Sequence, residues 1–225
     1  MKSVEILLYL QRNNITVFTT GDLAKIIRKP IGYAQSIANR IPGVKRAERG
    51  LYYTEQASIY EVASNMVPFS YVSMLSALRY YDLTTQIPST ISVVSPKRHR
   101  KVKLEGYKVE FIRFRERLIF GYVRRGNAFI AEPEKAMLDA MHYGSYAYLD
   151  EAFEYGTRDK LVDVDKLIGY AHRFGEKTLM NKLGFFLDLY AGISRGDLQG
   201  GMSKKPLYLL AKARNYSKKW RVYYG

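Results

Sequence analysis

Between Thr19 and Tyr53 (TTGDLAKIIRKPIGYAQSIANRIPGVKRAERGLYY) the apolar positions fall into two short helical runs and then a β-like segment. Thr19 with Asp22 three residues on forms a capping-box start, in which hydroxyl and carboxylate satisfy free N–H groups. Leu23, Ala24, Ile26 and Ile27 give that helix its apolar side. Lys29-Pro30 breaks it, and Pro30 suits the first position of a second helix. There Ile31, Ala34, Ile37, Ala38 and Ile41 recur at three- and four-residue steps and are expected to share a buried face. Gly32, Tyr33, Gln35, Ser36, Asn39 and Arg40 are left on the other face. Pro42-Gly43 ends the helix, and Val44 to Tyr53 reads as a hairpin bent at Glu48-Arg49-Gly50. Upstream, Ser3 is expected to cap a helix running to about Asn13, with Val4, Leu7 and Leu8 inward. Ile15 to Phe18 is expected to pair with the hairpin. Support helix, helix, polar-faced helix, hairpin is the order of a winged helix-turn-helix, and we place that domain at residues 1–55.

Residues 56–225 read as a larger α+β domain. Ala57 to Met66 and Tyr71 to Asp82 look helical, and Ile91 to Val94 is a continuous apolar run expected to be a buried strand. Tyr107 to Arg115 alternates apolar and charged residues. Leu118 to Val123 and Ala128 to Ile130 flank the Arg124-Arg125-Gly126-Asn127 turn, so the sheet is expected to be mainly antiparallel. Glu132-Pro133-Glu134 opens a helix through Met141, with carboxylates at its positive end. Leu149 to Tyr155, Val164 to Phe174 and Lys177 to Tyr190 are helical in pattern. Ser194 to Lys205 is a glycine-rich loop, and Trp220 to Tyr224 a short aromatic strand.

Charge sharpens this picture. Thirty-six Lys and Arg against 21 Asp and Glu give +15 over 225 residues, which favours an anionic partner, nucleic acid first. The excess sits in residues 1–54 (net +6), 96–125 (net +8) and 203–225 (net +7), whereas 131–165 is net −6. No run approaches the ~18 uninterrupted apolar residues of a membrane span, and Met1 leads straight into an amphipathic helix rather than a signal peptide. With no cysteine, disulfides and thiolate metal sites are excluded, and a cytoplasmic location is expected.

On the polar-faced helix, Gln35, Ser36, Asn39 and Arg40 are expected to meet the major groove of duplex DNA, with Tyr33 at its edge. Lys29, Lys45, Arg46 and Arg49 are expected to hold phosphates. A second basic surface is proposed by Lys97, Arg98, Arg100, Lys101, Arg113, Arg115, Arg124 and Arg125, and by Lys218, Lys219 and Arg221 near the C-terminus. Catalytic chemistry finds little footing. His99, His142 and His172 have no metal-ligand spacing, no P-loop or dinucleotide motif is present, and no cofactor is implied. Asp163, Asp165 and Lys166 resemble a nuclease's acid–acid–lysine set, but at a helix start the two aspartates are better explained as capping and dipole residues. Glu132, Glu134 and Asp139 are read the same way. The expectation is a binding protein rather than an enzyme, with a nucleic-acid-processing enzyme targeted by the winged helix, or a winged-helix adaptor for an acidic protein partner, as the rival readings.

Tyr71–Arg98 (YVSMLSALRYYDLTTQIPSTISVVSPKR) and Gly121–Tyr143 (GYVRRGNAFIAEPEKAMLDAMHY) resemble the antitoxin component of the AbiE abortive-infection system, as does the pairing of a small N-terminal winged helix with a larger C-terminal domain. The pieces that carry this are the tyrosine-rich helix ending in Asp82-Leu83, the Gln86-Ile87-Pro88 turn and the helix start Ile130-Ala131-Glu132-Pro133-Glu134-Lys135-Ala136. The resemblance implies a repressor of its own toxin–antitoxin operon; an inverted-repeat operator would take a dimer or two copies bound side by side. It also implies that the chain counters a nucleotidyltransferase-like toxin without a stable complex.

Overall fold

The computed structural model describes residues 2–225. The chain is α+β and divides into two compact units, each assembled from three separated stretches. The first takes the chain up to Val72 with Ser89–Arg115 and Val123–Ile130; the second takes Ser73–Pro88, Glu116–Tyr122 and Ala131–Gly225.

The first unit opens with α1 (Ser3–Arg12), β1 (Val17–Thr19), α2 (Thr20–Ile27), α3 (Ile31–Ala38) and a hairpin of β2 (Val44–Glu48) and β3 (Leu51–Thr54). The capping box at the start of α2 is present: the Asp22 N–H donates to Thr19 Oγ1 at 3.1 Å, and the Thr19 N–H donates to the Asp22 carboxylate at 2.9 Å. In α1 the inward residues are Ile6 and Leu10, while Val4 and Leu8 are 57% and 45% exposed. That corrects Val4 and Leu8 of the expected stripe, whereas Leu7 is half-buried against the same core. The helix is apolar most of the way round, so periodicity alone does not fix which side packs. Ser3 is the first helical residue rather than the cap, and Glu5 accepts from the Lys2 N–H at 2.9 Å.

Strand β3 lies between β1 and β2 in an antiparallel sheet, and all four of its residues are buried. Its side chains alternate between two environments, as strand geometry requires. Tyr52 stacks on Phe18 and joins Ile6, Leu10, Leu23, Ala34 and Ile41. Tyr53 turns the opposite way, into a core with Val62, Val72, Ile91, Val93 and Val109. Leu51, on the same side, meets Met66 and Val67. The hairpin is therefore packed against the rest of the unit: helix α4 (Ile59–Asn65) and a six-stranded sheet. This is why the expected cut after residue 55 falls inside the first unit and not at its edge.

The six-stranded sheet runs β6-β7-β5-β4-β9-β8, from β4 (Tyr71–Val72), β5 (Thr90–Ser95), β6 (Val102–Leu104), β7 (Tyr107–Arg113), β8 (Tyr122–Arg125) and β9 (Ala128–Ala131). It is mixed, which corrects the expectation of a mainly antiparallel sheet. β5 pairs parallel with β7 and β4 with β9, while β4–β5 and β6–β7 are antiparallel. Tyr71-Val72 is a strand and not the start of a helix, because Met74 adopts a left-handed φ of 54° and the helix begins there. Leu118 ends a 3-10 turn (Glu116–Leu118) instead of opening a strand.

Two carboxylates lash the hairpin to this sheet. Glu105 accepts from the Tyr53 hydroxyl at 2.7 Å and pairs with the Lys45 ammonium at 3.0 Å. Glu48 pairs with His99 Nε2 at 3.0 Å. The Tyr53 hydroxyl, and then Lys45, hold the Glu105 carboxyl below its usual range. Burial, reinforced by Glu105, pushes the Tyr53 phenol up to about 12.

The second unit packs α5 (Met74–Tyr80), α6 (Pro133–Tyr143), α7 (Leu149–Arg158), α8 (Val164–Phe174) and α9 (Lys177–Tyr190) with a small sheet. That sheet contains β10 (Leu207–Tyr208), β11 (Asn215–Ser217) and β12 (Val222–Tyr224) in the order β10-β12-β11. α6 is its centre, buried from Glu134 to Met141. Two charges inside it pair with each other, Lys135 with Asp139, and Asp139 also accepts from the Ser73 hydroxyl at 2.7 Å. The Lys135 ammonium lies over Phe120 and Phe174, and burial lowers its pKa against the pull of Asp139. The C-terminal segment is clamped to α9. Buried Asn181 donates to the Trp220 carbonyl at 2.8 Å, the Trp220 indole N–H donates to Asp188 at 3.0 Å, and the indole ring lies directly on Gly184.

Two outcomes follow from this packing. A methyl group at Gly184 would overlap the Trp220 ring, so Gly184→Ala is expected to cost about 1–3 kcal/mol, read as a lowered midpoint in thermal or urea unfolding. Because the Glu105 carboxyl is depressed in the folded chain, its tie is fully present above the ordinary glutamate value of 4.5 and lost as pH falls through the folded value. A carboxyl-carbon NMR titration should place the Glu105 midpoint below 4.5, and Glu105→Gln should remove that increment of acid sensitivity from the unfolding curve.

Candidate nucleic-acid interface

α3 is short for a physical reason. Pro42 bars Ile41 from the helical region and has no N–H to bond back, so the last turn opens after Ala38. Asn39 becomes the C-cap, and the Arg40 N–H bonds the Ile37 carbonyl at 2.8 Å. The buried side is Ala34, Ala38 and Ile41. Ile31 was expected there but is 61% exposed, since the chain enters the helix from Pro30 on the outer side.

The opposite side is open. Lys29, Tyr33, Gln35, Ser36, Asn39 and Arg40 are all exposed. Among the described residues, the side chains of Lys29, Gln35, Asn39 and Arg40 have no hydrogen-bond or ion-pair partner, so their donors and acceptors remain available to a ligand. Ser36 differs: its hydroxyl donates to the Tyr33 carbonyl at 2.8 Å, within its own helix. In the hairpin the expected phosphate holders divide. Arg49, at the bend, is exposed and unpaired among the described residues. Arg46 donates to the Glu48 carbonyl at 3.1 Å. Lys45 lies opposite Tyr53 in the sheet and points with it toward Glu105, so it is already neutralised.

Two further cations stand beside this face. Lys25 and Arg28 join Lys29, Pro30 and Ile31 around a shallow depression of about 420 Å³ between α2 and the start of α3. The signal was present in the spacing, since 25, 28 and 29 fall on one side of a helix and its cap. Arg28 is placed by its left-handed conformation, φ 52°, which turns the chain from α2 into α3.

The second basic surface divides in the same way. Lys97, Arg98, Arg100, Lys101, Arg113, Arg115, Arg124 and Arg125 belong to the first unit, and Lys218, Lys219 and Arg221 to the second. Several are committed within the protein. Lys101 pairs with Glu110 at 2.7 Å, Arg124 donates to Gly126 and Asn127, Lys219 pairs with Asp188, and Arg221 donates to the Ser203 carbonyl. Lys97, Arg98, Arg100, Arg113, Arg115, Arg125 and Lys218 are exposed.

The carboxylates considered for chemistry are occupied with structure. Asp163 caps α8 through the Lys166 N–H at 3.1 Å, and Asp165 pairs with Arg195 at 2.7 Å. Glu132 takes Lys166 at 2.9 Å and the Tyr170 hydroxyl, whose pKa burial and Glu132 together push up to about 12. Glu134 accepts from the Asp163 N–H at 2.9 Å. Among the described residues no group of three or more His, Cys, Asp and Glu is placed to hold a metal ion, and no helix is long and apolar enough to cross a membrane.

No family model and no curated protein matches the chain. Among solved structures it is similar to the crystal structure of the RV2827C protein from Mycobacterium tuberculosis, with a TM-score of 0.56 over 96% of this chain and 89% of that one. Identity between the two is 13%, so the likeness is one of fold alone.

Proposed function

We propose that the chain is a DNA-binding antitoxin that represses its own operon, with α1 to β3 acting as a winged helix-turn-helix. The observation that carries this reading is the open face of α3. Gln35, Asn39 and Arg40 keep their hydrogen-bonding groups uncommitted beside the cations Lys25, Arg28 and Lys29, an arrangement suited to base edges flanked by phosphates. Arg49, at the hairpin bend, serves as a further phosphate contact. Lys45 is a poorer one, because binding DNA would require it to leave Glu105. The toxin countered is of the nucleotidyltransferase class, acted on without a stable complex; the resemblance to AbiE antitoxins supports this part.

The test is fluorescence anisotropy with duplexes from the region upstream of the gene, against a random duplex, across a range of salt. Asn39→Ala is expected to cost about 1–3 kcal/mol on the preferred site alone. Equal losses on both duplexes would remove Asn39 as a base reader. Arg49→Ala should weaken binding to either duplex and reduce the log–log salt slope by about one, whereas Lys45→Ala should change that slope little. For the antitoxin role, co-expression with an adjacent nucleotidyltransferase should restore growth without co-purification of the two chains. Continued growth arrest would remove it.

A further inference from the structure

The C-terminal sheet of the second unit carries a feature that duplex recognition by α3 does not use. Tyr208 of β10, Tyr223 of β12 and Tyr216 of β11 are direct cross-strand partners in register. Their rings form a contiguous row: Tyr208 stacks on Tyr223 at 4.4 Å and 7°, and Tyr216 tilts against Tyr223 at 4.5 Å and 33°. Strand alternation explains the placement. Val222 is buried, Tyr224 leans on Phe185 of α9 at 4.7 Å, and Tyr223 between them faces away from that helix. The two end rings remain open, Tyr208 at 62% and Tyr216 at 44% exposure. The segment that carries them, residues 203–225, contains seven cations and no acid. Lys219 and Arg221 are tied to Asp188 and Ser203. Lys204, Lys205, Lys212, Arg214 and Lys218 are exposed, and their side chains have no ion-pair partner among the described residues.

We propose that this sheet is a binding site for single-stranded nucleic acid. Cross-strand tyrosines steady a small sheet, but a core-facing aromatic row would serve that end without leaving its outer rings in water. An exposed ring accepts any base on its face, and the exposed cations of the same segment can hold the phosphates that a flexible single strand brings along. Duplex DNA, whose bases are already stacked on one another, offers no face to these rings. An acidic peptide would meet the cations but leave Tyr208 and Tyr216 unused, so charge and aromaticity together select the single strand.

The experiment uses the full chain with fluorescein-labelled oligouridylate and oligothymidylate of about 12 nucleotides, within the span that one such platform covers. Both should bind at low salt. Tyr208→Leu and Tyr216→Leu keep apolar bulk on the strand but remove the stacking face, and each should weaken binding by about tenfold, while Tyr208→Phe binds as the native chain. Lys212 and Lys218 are exposed, and reversing their charge should abolish most of the binding, a readout independent of the tyrosine variants. Equal affinity for the two oligomers assigns recognition to stacking and phosphate; tighter binding of the ribo-oligomer adds a 2′-hydroxyl contact, and either supports the site. Failure of both oligomers to bind, full binding by a correctly folded Tyr208→Leu/Tyr216→Leu chain, or loss of binding on Arg40→Ala and Arg49→Ala instead, would overturn it.

Discussion

The first unit depends on one strand with two dry faces. β3 presents Tyr52 to the helices and Tyr53 with Leu51 to α4 and the six-stranded sheet, and every residue in it is buried. A hairpin of this length is marginal in water on its own. Here its inner strand is held from both sides, and its outer strand is tied by Glu105 and His99. Arg49 therefore stands at the end of a braced element and not on a loose flap. The same strand fixes α3, since Ala34 and Ile41 pack in the core that Tyr52 enters. Recognition that requires several side chains to arrive together benefits from such bracing, because less ordering remains to be done on binding.

How far this was legible in the residues varies with the range of the interaction. The capping box at Thr19 and Asp22, the break at Pro30 and the strand around Ile91 are signalled locally, and all three are present. The open side of α3 could also be read, because Ala34, Ala38 and Ile41 leave no alternative inner face. What escaped was non-local or conformational. Parallel pairing of β5 with β7 is decided by the excursion through β6, which no periodicity reports. The partner of Lys45 lies sixty residues away at Glu105. Tyr71 to Asp82 has the spacing of one helix, yet the left-handed Met74 splits it, and nothing in the residue type foretells that.

Charge is divided between different uses. Some cations are spent inside the protein, as with Lys135 on Asp139 and Lys219 on Asp188. Others, such as Arg40 and Arg49 in the first unit and Lys212 and Lys218 in the second, face water without partners among the described residues. Counting basic residues along the chain could not separate these groups, since Lys218 and Lys219 are neighbours with opposite roles. Within the acidic block at 131–165, Glu132, Glu134 and Asp163 resolve likewise into a cap and paired groups around α6 and α8.

The central claim is that the outer side of α3, with the turn before it and the hairpin bend, is where duplex DNA sits. Amide chemical-shift mapping of the full chain during titration with an upstream duplex tests it most directly. The expected result is a set of perturbations concentrated at Lys25 to Lys29, Tyr33 to Arg40 and Glu48 to Gly50. Perturbations centred elsewhere, with those residues unmoved at saturation, would contradict it.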